Sequence, residues 1–454
     1  MGMGRKKDRE QQEGLWIAAA EIVTTPGHIY YERVNAVLNA EHFDRRVEAM
    51  CRKYYKSSSG RPSMPPGVYF RMQLLGYFEG IDSERGIAWR AADSLSLRKF
   101  LSYGLNETTP DHSTVSRTRR LYSVETHRAV MQWMLKILRK HGLAQGQSIS
   151  IDATTLQANA SMKSLVRRDT GVSYDAYLRQ LAEAEGIENP TKEQAARLDR
   201  KRKKKASNDD WTNPHDPSAR ITRMKDGRTK LAHKAEHAVD LADGALLAVT
   251  VQPADRGDTS SYSETLDEAQ SEARRAHPDG IEEVVMDKGY HSGAVLVDLE
   301  KRGLRGYVPE PDRGRRRWIG KGEEQRAVYA NRRRVRGGRS RRLQKRRGEL
   351  VERSFAHCYE TGALRRVYVR GTANVLKRVL VQAAAFNMGL LLRKLTGWGK
   401  PRQAQGRHNA VVALLWGVFA VQTAFREVRN LVAASTREFS VEFWPSPSWR
   451  VIFR

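Results

Sequence analysis

The spacing of apolar residues changes period at Gln147, and this change constrains the fold more than any other feature of the chain. Upstream, Val68, Met72, Leu75 and Phe78, and then Val124, Val130, Met131, Met134, Leu135 and Leu138, recur at the spacing of one helical face. Downstream, Ser148-Ile149-Ser150-Ile151-Asp152 alternates polar and apolar, as a half-buried strand does. Leu231–Asp240 and Ala245–Val251 read as two further strands joined by Asp243-Gly244, a strong hairpin signal. A helix over about 259–276, an apolar strand Ile281–Asp287, a helix over 292–302 and a short strand at Arg305–Pro309 follow. The expected order is therefore β-β-β-α-β-α-β: an α/β core with three antiparallel strands first, then parallel strands with crossover helices.

That order is the one an RNase H-like core shows. With 454 residues the chain is long for one core, so several segments are expected around it. Residues 1–60 read as an arm of short helices and 61–145 as an all-helical domain. Within the latter, Pro110 and Asp111 open a capped helix that carries Arg117, Arg119 and Arg120, a pattern compatible with a helix-turn-helix-like DNA reader. The core domain spans 146–395 and carries a polar insertion at 160–225, partly helical around 173–203. Residues 313–347 hold 16 Lys and Arg against two acids and read as a basic loop. Residues 396–454 form a C-terminal extension, helical to about 433. Its longest apolar run, 410–425, is shorter than the roughly 18–20 residues of a spanning helix.

Charge narrows the partner. Eighty Lys and Arg against 52 Asp and Glu give a formal net charge of +28, an excess suited to a polyanion. A mean hydropathy of −0.64 argues against a membrane protein. Cys51 and Cys358 are the two cysteines, which provides neither a disulfide framework nor a cysteine zinc site and fits a reducing cytosol. The charged N-terminus is followed by no apolar segment of the signal-peptide kind.

Three carboxylates stand in distinct settings. Asp152 ends the strand S-I-S-I-D, Asp287 ends V-V-M-D, and Glu352 lies on a helix directly after the basic segment. Hard cations such as Mg²⁺ take oxygen ligands, and a two-ion site acting on phosphodiesters needs one bridging carboxylate plus one for each side. Asp152 is the bridging candidate, with Asp287 and Glu352 completing the two spheres. Lys288, Tyr290 and His291 are placed to contact DNA next to the cut phosphate, Tyr290 reading equally well as core. Arg353 either grips a phosphate or orients its helix. Arg315, Arg316, Arg317, Arg332, Arg333, Arg334, Arg341, Arg342, Arg346 and Arg347 are expected on the DNA backbone, where contacts give affinity that falls steeply with salt. His233 and His237, four apart on a strand, read as packed or surface residues, and Asp258 as a helix cap rather than a spare ligand.

The blocks S-I-D-A-T-T-L-Q-A-N-A, M-D-K-G-Y-H-S and E-R-S-F-A-H resemble those of bacterial insertion-sequence transposases of the DDE superfamily. The upstream S-E-R-G-I-A-W-R-A-A-D and T-P-D-H-S-T-V-S-R-T-R resemble the helical domain that precedes the catalytic core in those proteins. The resemblance covers roughly 65–395. It implies an RNase H-like fold and a triad of Asp152, Asp287 and Glu352. It also implies two Mg²⁺ ions (with Mn²⁺ as a substitute) and action on double-stranded DNA at terminal inverted repeats and a target. Assembly as a dimer or larger on DNA and a bacterial, nucleoid-associated cytoplasmic location are further implications. Relatives that place Tyr and Arg before the Glu and Lys after it differ here, where Gly348 and Tyr359 flank Glu352. The rival readings are an RNase H-like nuclease or resolvase that cuts without joining, and a non-catalytic DNA-binding derivative.

Overall fold

Helix caps and apolar stripes build the N-terminal part. The computed structural model of the chain describes residues 28–56, 63–202, 206–224, 226–312, 314 and 316–404. Seven helices come first: α1 (Ile29–Ala40), α2 (Phe43–Cys51), α3 (Pro66–Glu79), α4 (Glu84–Asp93), α5 (Leu95–Phe100), α6 (His112–Leu121) and α7 (Val124–Lys140). Ser83, Ser94, Asp111 and Ser123 each accept a backbone N–H of the first turn that follows them, which satisfies donors left open at a helix start. The α7 stripe Val130, Met131, Met134, Leu135 and Leu138 is buried, as its spacing predicts. Residues 28–56 form short helices that pack on the rest: Tyr30, Tyr31, Val34 and Leu38 are buried in the same core, and the Tyr30 hydroxyl donates to the Gly399 carbonyl at 3.1 Å.

The sheet follows the expected order. Strands β1 (Ser148–Gln157), β2 (Val166–Arg167), β3 (Trp211–Thr212), β4 (Arg220–Arg223), β5 (Thr229–Asp240), β6 (Leu246–Pro253), β7 (Glu283–Val285) and β8 (Arg305–Tyr307) are joined by α8 (Tyr174–Ala184), α9 (Lys192–Lys201), α10 (Asp258–Arg274) and α11 (Gly293–Lys301). β5 runs antiparallel to β1, β6 and β4, whereas β7 and β8 run parallel, giving the order β5-β1-β7-β8 with β6 outside β5. Gly244 in the β5–β6 turn has φ +85°, which glycine adopts without a Cβ penalty. The insertion forms α8, α9 and the β2–β3 pair around a small core of its own, where Tyr174 and Tyr177 meet Trp211 edge-on at 4.9 and 5.2 Å.

Three helices close the molecule: α12 (Gly322–Arg336), α13 (Gly338–Phe355) and α14 (Thr372–Thr396). The basic segment is thus not a loop. Arginine is a good helix former, and α12 has Glu323 and Glu324 in its first turn and Arg333, Arg334 and Arg336 in its last, which suits the helix dipole. Ala327, Val328, Leu343, Leu350 and Val351 supply the buried stripe that docks the pair. α14 is apolar and long enough to cross a membrane by composition, yet 89% of that stretch is buried between α7, α3 and β6. Asparagines seal both edges of the sheet. Asn387 on α14 bonds both backbone groups of Leu246 (3.0 and 2.9 Å), and Asn331 on α12 bonds both of Val308 (3.1 and 2.7 Å). Of the C-terminal extension only residues through 404 are described, so its expected helices and aromatic end lie outside the described residues.

Candidate active site

Asp152 and Asp287 reach one place because their strands are parallel neighbours. Ser150 pairs with Val285, and each aspartate lies two residues further on. Burial, seconded by the negative charge of Asp287, pushes the Asp152 carboxyl above its usual range. The Ala153 N–H and Arg347 pull the other way. Asp152 Oδ1 accepts the Ala153 N–H and Oδ2 accepts Arg347 Nη1, both at 2.8 Å. Asp287 Oδ1 accepts the Gly289 N–H at 2.8 Å and so caps the single 3₁₀ turn Lys288–Tyr290.

Beneath this turn lies a buried polar network that strand periodicity did not reveal. Glu236 on β5 accepts hydroxyls from Tyr290 (2.8 Å), Ser261 (3.0 Å) and Thr265. Lys234, two residues earlier on the same face, donates to Ser261 (2.8 Å) and to the Asp258 carboxylate. Burial raises the Glu236 carboxyl; the Thr265 and Tyr290 hydroxyls and Lys234 oppose it. Asp258 is the first residue of α10 rather than its cap, which is Gly257. A Cβ at Gly289 would fall 3.0 Å from both Asp258 Oδ2 and Asp287 Oδ1, so these carboxylate oxygens flank a space that only glycine leaves open. An open depression of about 310 Å³ continues along β1 past Thr154 and Thr155, with Arg223, Arg256 and Lys234 on its walls. These three cations were also missed, since isolated basic residues carry no motif.

The third carboxylate is not brought into this group. On α13, Ser340, Leu343, Leu350, Val351 and Ser354 are buried, Arg339 and Arg347 reach Glu283 and Asp152 of the sheet, and Glu352 is exposed. Among the described residues no three His, Cys, Asp or Glu stand close enough to hold a metal ion ready-made. Asp152 and Asp287 fit a hard divalent cation as far as they go, with oxygen donors, paired negative charge and a glycine-opened cradle beside them. His237 lies opposite Asp152 across the β1–β5 pair, but its ring is buried against Ser354, Tyr359 and Phe355, which makes it packing. His233 is likewise buried, on Asp216 at 3.2 Å.

The expected DNA contacts divide by exposure. Arg117, Arg120, Lys288, Arg317, Arg333, Arg341, Arg342 and Arg346 are exposed. Arg346 also donates to the Ala242 carbonyl at 2.7 Å. Arg119 is instead buried against Glu84, tying α6 to α4 at 2.7 Å. Tyr290 and His291 are fully buried, the former as the Glu236 anchor. Arg316 and Arg332 both pair with Glu310, and Arg334 is half-buried against the Gly306 carbonyl. Arg353 pairs with Glu349 one turn back, the helix-orienting alternative. Arg315 lies outside the described residues.

Fold and site together define a class: a mixed α/β protein that brings two aspartates to the ends of adjacent parallel strands, beside a helix pair rich in arginine. The family model described as "Transposase DDE domain" matches residues 146–388, more than half of the chain, and "Transposase domain (DUF772)" matches residues 19–121. The chain belongs to the DDE transposase family of insertion sequences. A comparison with curated proteins gives no match. Among solved structures it is similar to a chain of a pre-cleavage Mos1 transpososome, at 12% identity over 56% of this chain. The match spans 61% of that chain, about three-fifths of its length, with a TM-score of 0.18, too low for the two to superpose as wholes.

Proposed function

We propose that this transposase binds double-stranded DNA at the terminal inverted repeats of its element and performs divalent-metal-dependent cleavage and strand transfer on an RNase H-like core. The observation that carries this reading is the level placement of Asp152 and Asp287 on neighbouring parallel strands, with the charge of one felt by the other. Asp152 and Asp287 would hold the metal, Mg²⁺ or Mn²⁺, with Glu352 joining them when α13 is engaged with DNA. When bound, the metal supplies charge neutralisation at the phosphate and an activated water at neutral pH.

The chain's own residues do the rest. Asp287 accepts the Gly289 N–H, which restrains its carboxylate at the start of the turn. Exposed Lys288, Arg341 and Arg342 bind the sugar-phosphate backbone, and Arg117 and Arg120 on α6 contact a second stretch of the same end. In cleavage a water oxygen bonds the phosphorus as the P–O3′ bond breaks, which leaves a 3′-OH and a 5′-phosphate. That hydroxyl then attacks a target phosphodiester, forming a new P–O bond as the target's own 3′ oxygen departs. Synapsis of two ends calls for a dimer or larger assembly on DNA, in the bacterial cytoplasm at the nucleoid. The test is cleavage and joining of a labelled duplex carrying the element's end, with Mg²⁺ or EDTA, by wild type and Asp287→Asn. Metal-dependent joining lost in the variant, with DNA binding retained, supports the reading. Cutting without joining would replace it with a nuclease.

A further inference from the structure

Two arginines of α13 reach the sheet: Arg339 pairs with Glu283 of β7, and Arg347, in line with buried Ser340, Leu343, Leu350, Val351 and Ser354, pairs with Asp152 of β1. Its Nη1 donates to Asp152 Oδ2 at 2.8 Å, and both side chains are about one-fifth exposed, at 20% and 23%. The guanidinium is itself held. Its Nε donates to Gln344 Oε1 at 3.2 Å, and Gln344 Nε2 donates to the Tyr307 carbonyl at 2.9 Å and to that of Met286, the neighbour of Asp287, at 3.3 Å. A positive charge is therefore fastened to the carboxylate that would otherwise face Asp287 uncompensated. Nη2 has no hydrogen-bond partner among the described residues, and arginine's planar fork suits a phosphate as well as a carboxylate.

We propose that Arg347 is a built-in counter-cation. It occupies Asp152 in the DNA-free protein, competes there with the divalent metal, and passes to a DNA phosphate when the metal takes Asp152. This inference rests on the metal reading proposed above. Its consequence is ordered loading: metal binds weakly until DNA draws the guanidinium away, which keeps an unengaged enzyme from cutting. A cation and a guanidinium cannot share Oδ2 without like-charge repulsion, so removing the latter strengthens the former. For a partly exposed pair the expected gain is about threefold in metal affinity.

The experiment is titration of the full chain with Mn²⁺, read by the electron paramagnetic resonance of free ion without DNA. Wild type is compared with Arg347→Gln, Arg347→Lys and Asp152→Asn. Arg347→Gln is expected to bind about threefold more tightly, Arg347→Lys to fall between it and wild type, and Asp152→Asn to lose the site. On DNA, Arg347→Gln is expected to show a salt dependence of binding shallower by about one phosphate contact. Unchanged or weaker Mn²⁺ binding in Arg347→Gln, with Asp152→Asn still losing it, overturns the counter-cation and leaves the metal reading intact. Full Mn²⁺ binding by Asp152→Asn overturns the metal reading itself. Should Arg347→Gln fail to fold by circular dichroism, an Arg347→Lys affinity equal to or below wild type overturns the proposal.

Discussion

Replacing Tyr290 with Phe isolates one hydrogen bond beneath the site. The ring is fully buried and Phe fills the same space, so no cavity term enters. What is lost is the hydroxyl that donates to Glu236 at 2.8 Å, leaving that carboxylate with Ser261 and Thr265 as its hydroxyl donors. Hydrogen bonds to charged groups contribute about 1.5–3 kcal/mol, so Tyr290→Phe should lower stability by about 2 kcal/mol. Tyr290 also ends the turn that Asp287 caps, so loosening it should lower cleavage while DNA affinity stays unchanged. Urea unfolding at pH 7 reads the first effect, through the midpoint at constant slope. A double-mutant cycle with Glu236→Gln assigns it: the two losses should fall short of additive by at least 1 kcal/mol or so. A loss below about 0.5 kcal/mol, or strict additivity, would refute the anchoring of Asp287's turn by Glu236.

Acid should destabilise the fold through two histidines. Burial lowers the His127 and His237 rings to about 4 and about 3, against 6.5 in the unfolded chain. The unfolded state therefore takes up protons first, and stability falls as pH drops below 6.5, by about 1.4 kcal/mol per unit per histidine, until the folded rings titrate. Urea midpoints from pH 7 to 5 should fall less steeply in a His127→Gln, His237→Gln double variant, and an unchanged slope would refute the assignment. Asn387→Leu strips partners from the buried N–H and C=O of Leu246 and should cost about 3 kcal/mol in the same assay. Arg119→Ala should weaken stability by breaking its buried pair with Glu84, whereas Arg117→Ala and Arg120→Ala should leave stability alone and weaken DNA binding.

Local signals made much of this legible. The change of period at Gln147, the Asp243-Gly244 hairpin and the apolar run to Asp287 fix which strands pair, and with them the meeting of Asp152 and Asp287. The basic segment misled because its charge count hides a sparse stripe, Ala327, Val328, Leu343 and Leu350, sufficient for two helices. Side-chain type also misled: Arg119 and His291 read as surface groups, and only tertiary packing sets them inside. Lys234 and Glu236 escaped for a related reason. Alternation in β5 puts one face in and one out, but α10 covers the second face and buries both.

The most direct test of the two-aspartate centre is a metal-specificity switch. Asp152→Cys and Asp287→Cys put a thiolate where an oxygen ligand stood, and Mg²⁺ accepts sulfur poorly whereas Mn²⁺ tolerates it better. Strand transfer on the element's end should vanish for both variants in Mg²⁺ and return in part in Mn²⁺, with DNA binding intact throughout. Equal loss in the two metals, or activity in Mg²⁺ matching the wild type, would contradict a cation held by Asp152 and Asp287.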